Sequence, residues 1–295
     1  MVSGIISFMR VKKAVIPVAG FGTRFLPATK ATPKEMFPLV DKPLAQYAVE
    51  EATAAGIEEV IFITGQAKRA IEDHFDTNFE LEYLLEKKGK QQQLADVREI
   101  SGMCKFAYVR QPEMKGLGDA ILQAKNLVNK EPFAIITPDD IFSGTNSALA
   151  QLVEAHERLD APIVGVTKVP KDRIDQYGVV SGEPVEDGVL KMTGTVEKPS
   201  ANEAPTDLAQ CGRYIMTPEL FEILEKLSPG TGGEVQMTDA YDQLLAKQPV
   251  YAVTVEGEYH DAGSKLGYMQ AFVEYGLSRE DLGSDFKKFL RNRLG

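Results

Sequence analysis

Arg24, Lys30 and Lys34 fall in one loop, AGFGTRFLPATKATPKEM (19–36), directly after the apolar run KAVIPVA (13–19). Glycines at 20 and 22 let backbone N–H groups come close to phosphate oxygens, and the three cations supply charge, so the loop reads as a cradle for a nucleoside triphosphate. At an effective dielectric of about 20, one cation roughly 4 Å from an anion is worth roughly 4 kcal/mol before desolvation. Such a local cluster can outweigh a formal net charge of -10. A turn whose lysines are merely solvated is the alternative for these residues alone. A second chemical feature is the run PFAIITPDD (132–140), which ends abruptly on the carboxylates of Asp139 and Asp140. Aspartates at a strand end also commonly cap the next helix.

Other phosphate-binding loops fit poorly. A dinucleotide fingerprint needs a third small residue where Phe25 stands and a helix that Pro27 and Pro33 oppose. The next strand, EEVIFIT (58–64), runs into Gly65-Gln66-Ala67 and not into an acid that would hold a ribose. The pattern GxxxxGK[ST] is absent. Cys104 and Cys211 form no CxxC pair and only His74, His156 and His260 accompany them, which argues against a zinc site or a disulfide framework. With 33 basic and 43 acidic side chains the chain repels a polyanion, so no nucleic-acid partner is expected. No apolar run reaches bilayer length, and MVSGIISFMR lacks the basic start and long apolar stretch of a signal peptide. A soluble, cytoplasmic protein with no membrane partner is expected.

The elements that must position these groups alternate. Short β-branched runs (13–19, 58–64, 105–110, 132–140, 161–169) are separated by helical stretches such as PLAQYAVEEATAAG (43–56), LGDAILQAKNLV (117–128) and SALAQLVEAHERL (147–159). The alternation predicts an α/β fold with a Rossmann-like, mostly parallel sheet, helices on both faces, and a ligand beyond the carboxyl ends of the strands. From Tyr177 the pattern changes to short alternating strands with Asp187-Gly188 at a turn, which predicts a small antiparallel lobe. The expected organisation is one domain over 11–278, with a hairpin insertion about 170–215, and a C-terminal helix over 279–295.

The loop, together with QPEMKGLGDA (111–120), TPDD (137–140), YGVV (177–180), VEKP (196–199), GRYIM (212–216), GGEVQMTDA (232–240) and HDAGSKLGYMQA (260–271), resembles the sugar-nucleotide pyrophosphorylases. The resemblance runs from Lys13 to about Gly276 and is strongest to those bacterial members that join UTP to glucose 1-phosphate. It implies a nucleotidyltransferase sheet, a sugar-binding role for the antiparallel lobe, and attack of the sugar phosphate on the α-phosphorus of UTP with Mg2+ as cofactor. A sugar phosphate is already ionised at neutral pH, so no general base is needed, which suits a chain poor in histidine.

By that resemblance Ala19, Gly20, Phe21, Gly22 and Thr23 wrap the nucleotide, and Arg24 and Lys34 neutralise the triphosphate and the leaving pyrophosphate. Glu35, Gln111 and Gly116 surround the base, with Gln111 able both to donate to and accept from uracil and Gly116 admitting the ring closely. Asp139 and Asp261 are the implied metal ligands, with Asp140 secondary. Gly178, Glu197, Lys198 and Tyr214 are the implied sugar-phosphate contacts. Asp119 departs from the family's pattern, which has histidine there, and is expected at a helix start, where its charge suits the macrodipole, and not inside the pocket. Thymidylyl transfer, galactose 1-phosphate as acceptor, and a non-catalytic regulatory relative remain alternatives. A homo-oligomer, dimer or tetramer, is expected.

Overall fold

A computed structural model describes residues 10–144, 146–230 and 233–295. Residues 1–9, over which no signal peptide is predicted, and Gly232 of the GGEVQMTDA motif lie outside the described residues. The chain starts with β1 (Lys13–Pro17), three 3-10 turns over Thr23–Phe25, Ala28–Lys30 and Lys34–Met36, and the two-residue strands β2 (Pro38–Leu39) and β3 (Lys42–Pro43). It continues through α1 (Leu44–Ala54), β4 (Glu59–Thr64), α2 (Arg69–Phe75), α3 (Phe79–Lys87), α4 (Gln91–Gly102) and β5 (Lys105–Arg110). Next come α5 (Leu117–Leu122), α6 (Lys125–Val128), β6 (Phe133–Ile136), β7 (Asp140–Ser143), α7 (Ala148–Leu159) and β8 (Ile163–Lys168). The hairpin β9 (Gly178–Glu186) and β10 (Val189–Glu197) leads to β11 (Leu208–Met216), α8 (Glu219–Leu224) and α9 (Met237–Leu245). β12 (Tyr251–Thr254), β13 (Glu258–Asp261), α10 (Lys265–Ser278) and α11 (Gly283–Leu294) complete it.

Among the described residues nine strands form one sheet in the order β5-β4-β1-β6-β11-β8-β12-β10-β9. The first four of these are a parallel, Rossmann-like half sheet whose direction of growth reverses between β1 and β6. The crevice at such a reversal, beyond the carboxyl ends of the strands, is where α/β sheets take their ligands. Side chains alternate across the sheet as the pleat requires. Val15, Ile61, Ile63, Phe133 and Ile135 face one core shared with α5, α8 and α9. Ala14, Ile16, Val60, Phe62, Ala134 and Ile136 face the other, against α1, α2 and α7. In α1 the residues Ala45, Ala48, Val49 and Ala52 supply that contact at the spacing of one helix face.

Three features differ from expectation. The sheet is mixed, because β11 runs antiparallel between β6 and β8, and β10 runs antiparallel to β12. The β9–β10 hairpin, which does turn at Asp187-Gly188, is bonded through β10 to β12 and touches β11 at Ala209↔Val179, so it extends the sheet and does not stand apart as a lobe. The helix expected over 117–128 divides into α5 and α6, because the N–H groups of Gln123 and Ala124 bond back three residues, to Ala120 and Ile121, and tighten the chain there.

Candidate active site

The loop after β1 is built as the prolines require, as short 3-10 turns and no long helix. Phe25 stacks edge-on against Phe37 and Tyr268, with ring centroids 5.3 and 5.8 Å away, which ties the loop to α10. Its last turn delivers Lys34, whose ammonium forms an ion pair with Asp139 from the segment after β6. Burial alone would lower the Lys34 pKa, but Asp139 and Glu35 hold it above the ordinary lysine value. Burial would likewise raise the Asp139 carboxyl, yet Lys34 holds it below the usual carboxylate range. The pair is therefore ionised, a cation and an anion facing the same crevice. Arg24 lies farther along, its Nη1 3.5 Å from the Gly263 carbonyl oxygen, close to Asp139 and Asp261.

Asp261 reaches this point through a short ladder in which β13 pairs antiparallel with β7, Asp261 opposite Asp140. The Ala262 N–H donates to the Asp139 carbonyl, 2.8 Å, and closes the ladder. A Cβ added to Gly263 would fall 2.6 Å from Asp139 Oδ2 and 3.0 Å from Asp261 Oδ1, so two carboxylate oxygens converge on one small space. Burial and the Asp139 charge push the Asp261 carboxyl up, a repulsion that a cation between them would relieve. No group of three or more His, Cys, Asp or Glu is gathered among the described residues. Two carboxylates with the other positions left to water and phosphate is the donor set that suits Mg2+. Asp140 is otherwise engaged: Thr137 and Tyr259 hydroxyls donate to its carboxylate, and burial and Asp139 push it up to about 6.

Beside the loop after β1, a cavity of about 320 Å³ is lined by Ala19, Gly20, Lys34, Glu35, Gln111, Gly116 and Asp139, with Met114 and Glu234. Phe21, Gly22 and Thr23 are not among its walls, and Phe21 is 65% exposed, so the structure separates these three from Glu35, Gln111 and Gly116. Glu35 is buried and accepts from Lys68 Nζ at 2.8 Å, an ion pair that the sequence left unseen because Lys68 lies in the loop after β4. Gly116 has φ 94°, and a Cβ there would lie 2.9 Å from Glu234 Cβ and from the Val235 carbonyl oxygen. The glycine thus answers to the neighbouring chain segment before it answers to any bound ring. Asp119 stands in the first turn of α5 as expected, but its carboxylate turns toward Gln111 and accepts from Nε2 at 2.8 Å.

A second cavity, about 250 Å³, is lined by Arg24, Asp261, Gly178, Glu197, Lys198 and Tyr214, and it shares Leu117, Thr137 and Asp139 with the first. Lys198 has a left-handed backbone, φ 47°, and among the described residues its ammonium pairs only with the adjacent Glu197, 3.2 Å, which leaves room for an anion. Tyr214 is largely buried, and its hydroxyl donates to Gln210 Oε1 at 3.3 Å; both residues line this cavity. Sequence reasoning missed Gln210, Gln236, Thr238 and Tyr259 here. Among the described residues the Thr238 Oγ1 and the Tyr241 hydroxyl behind it are enclosed without a hydrogen-bond partner. Replacing Tyr241 by Phe should leave stability unchanged or raise it by up to about 1 kcal/mol, read as the midpoint of thermal unfolding, because an unsatisfied hydroxyl is removed and the ring is kept.

Arg213 of β11, fully buried, is a further residue that the motif reading left without a role. Its guanidinium grips Glu51 of α1 through two bonds of 2.8 Å and donates to the carbonyls of Thr137 (3.0 Å) and Asp140 (2.6 Å), on either side of Asp139. Glu51 also accepts from the Leu149 N–H at the start of α7, 2.9 Å. Gly212, with φ 70° at a bulge in β11, leaves the room: a Cβ there would lie 1.8 Å from Thr137 Oγ1. The segment carrying Asp139 is therefore clamped from behind.

A crevice at the reversal of an α/β sheet, with a cationic loop on one side and paired carboxylates on the other, defines a site for phosphoryl-group chemistry. The nucleotidyl transferase family model matches residues 13–277, and the chain belongs to that family. It is 46% identical over 282 residues to the UTP-glucose-1-phosphate uridylyltransferase of Staphylococcus epidermidis, covering 96% of this chain and 98% of that protein. It is 47% identical over 287 residues to the protein of the same name from Streptococcus pneumoniae, covering 95% of each. Among solved structures, UDP-glucose pyrophosphorylase complexed with UDP-glucose superposes with a TM-score of 0.84 at 44% identity, over 91% of this chain and all of the other. The UTP-bound enzyme of Acinetobacter baumannii gives 0.88 at 41% identity, over 95% and 98% of the two chains. No helix among the described residues is long and apolar enough to cross a membrane.

Proposed function

We propose that this chain transfers the uridylyl group of UTP to glucose 1-phosphate, releasing pyrophosphate and UDP-glucose. The observation that carries the reading is the meeting of two cavities at Asp139, one walled by the nucleotide-loop residues and one by Glu197 and Lys198. Two substrates seated in them would bring a sugar phosphate against an α-phosphorus without further rearrangement. A phosphate oxygen of the sugar forms the new bond to the α-phosphorus. The bond from that phosphorus to the bridging oxygen breaks, and pyrophosphate leaves with the electron pair. Lys34 and Arg24 balance the charge on the triphosphate and the departing pyrophosphate, Gln111 reads the base, Lys198 holds the sugar phosphate, and Glu197 accepts from sugar hydroxyls. Mg2+, held by Asp139 and Asp261, would supply charge neutralisation at the phosphates. The enzyme is assigned to the cytoplasm as a homodimer or tetramer, for which the exposed apolar Leu266, Met269 and Phe272 of α10 offer a contact face.

The test is pyrophosphate release from UTP and glucose 1-phosphate with Mg2+, with dTTP, ATP, GTP and galactose 1-phosphate in parallel. Preference for UTP and glucose 1-phosphate supports the reading, another preferred pair reassigns specificity, and no release with any pair overturns it in favour of a regulatory relative. In the active protein, Lys198→Ala should lower kcat/KM for glucose 1-phosphate about 100-fold, with the KM for UTP little changed, because a charge-assisted contact to one substrate is lost. An equal loss toward both substrates would remove Lys198 from the sugar side.

A further inference from the structure

The Gln111 carboxamide is held by one end. Its Nε2 donates both to Asp119 Oδ2, 2.8 Å, and to the Gly116 carbonyl oxygen, 3.2 Å. Both partners accept only, so reversing the amide would set oxygen against oxygen at two contacts, and the two N–H bonds of the NH2 group are fully used where they are. The Oε1 atom has no hydrogen-bond partner among the described residues, yet it is not among the enclosed unsatisfied atoms, so what remains accessible of this nearly buried side chain includes its carbonyl. Gln111 lines the nucleotide-side cavity, and α5, which carries Asp119, is fixed at its start by the bond from the Gly118 N–H to the Val235 carbonyl, 2.9 Å.

We propose that Asp119 is a positioning residue that makes Gln111 a pure acceptor and so sets which pyrimidine the site takes. This rests on the reading that Gln111 faces the base. A fixed Oε1 accepts from a base that presents N–H at that edge, as uracil does at N3. It opposes cytosine, whose N3 carries a lone pair, oxygen facing nitrogen with no proton between them. Uracil and thymine are alike at N3, so this lock discriminates UTP from CTP and leaves UTP against dTTP to other contacts. A site built around a hydrogen bond rejects a ligand lacking it far more strongly than an apolar pocket rejects a methyl group. Histidine, expected by resemblance at this position, would hold the amide by a single ring nitrogen whose role depends on its tautomer, whereas a carboxylate can only accept.

The experiment measures pyrophosphate release by the full chain with UTP, CTP and dTTP at fixed glucose 1-phosphate, in Asp119→Ala, Asp119→Asn and Gln111→Ala. Asp119→Ala frees one N–H and lets the amide turn, so the UTP-to-CTP ratio of kcat/KM should fall at least about 10-fold. The UTP-to-dTTP ratio and the KM for glucose 1-phosphate should stay within about twofold, since neither depends on the lock. Asp119→Asn keeps an acceptor oxygen in place and should retain most of the UTP-to-CTP ratio. A ratio unchanged in Asp119→Ala but collapsed in Gln111→Ala overturns the role of Asp119 and leaves base reading by Gln111 intact. A ratio unchanged in both variants overturns the assignment of Gln111 itself, and with it the lock.

Discussion

Asp139→Ala is expected to lower kcat about 1000-fold while the chain stays folded, because on the proposed function the carboxylate would organise charge for the reaction and it is not part of either apolar core. Three functions end together in that variant. Lys34 loses the partner that holds its ammonium toward the crevice, Asp261 loses the carboxylate with which it converges, and the junction of the two cavities loses its wall. Asp139→Asn keeps the shape and one acceptor but removes the charge, so it should lose almost as much, and raising the Mg2+ concentration should recover part of the asparagine variant's rate. Pyrophosphate release at saturating UTP and glucose 1-phosphate, with circular dichroism as the control for folding, decides the matter. A near-native rate in either variant would falsify the assignment of Asp139 to the reaction.

The second large effect lies outside the cavities. Arg213→Met should cost about 3 kcal/mol of stability, toward the lower end for breaking a buried ion pair from one side, because Glu51 keeps 14% exposure and some access to water. Denaturant unfolding reads this as a lower midpoint at unchanged slope. In the double variant Arg213→Met with Glu51→Met, part of the stability should return, since no unpaired charge is left behind. Turnover should not return, because the carbonyls of Thr137 and Asp140 would still lack the guanidinium that holds them. If activity recovered along with stability, Arg213 would be a core residue with no hold on the Asp139 segment.

Much of this arrangement can be read from the residues. The runs that became β1, β4, β5, β6 and β8 are short, β-branched and apolar, and α1 and α7 carry their apolar faces at helical spacing, so local pattern alone locates them. The order and direction of β11 are not legible in the same way. Its burial is nearly complete, and an apolar run buried on both sides fits equally well parallel or antiparallel to a neighbour. The hairpin was recognisable from Asp187-Gly188, but its bonding to β12 depends on a strand more than fifty residues later. In the site, Lys34, Asp139, Gln111 and Lys198 are found through motifs whose residues are adjacent in sequence. Arg213 and Lys68 escaped because their meaning lies in partners, Glu51 and Glu35, that only the fold brings near. Asp119 stands at the helix start where the sequence puts it and lines neither cavity, but its contact with Gln111 is not legible, since the direction of a side chain within a helical turn depends on what packs opposite.

The two-stranded ladder of β7 and β13 also sets the order in which the site comes into being. Protein synthesis delivers the chain from its N-terminus at about 5–20 residues per second, and structure can form as it emerges. The loop after β1, Gln111 and Asp139 are available long before Asp261, whose strand pairs, among the described residues, with β7 alone. A nascent chain can thus assemble its parallel half sheet and present the loop after β1, yet it holds only one of the two converging carboxylates. On the proposed function, turnover requires the chain through β13, and a ribosome-stalled or truncated product ending before it would bear Lys34, Gln111 and Asp139 without Asp261.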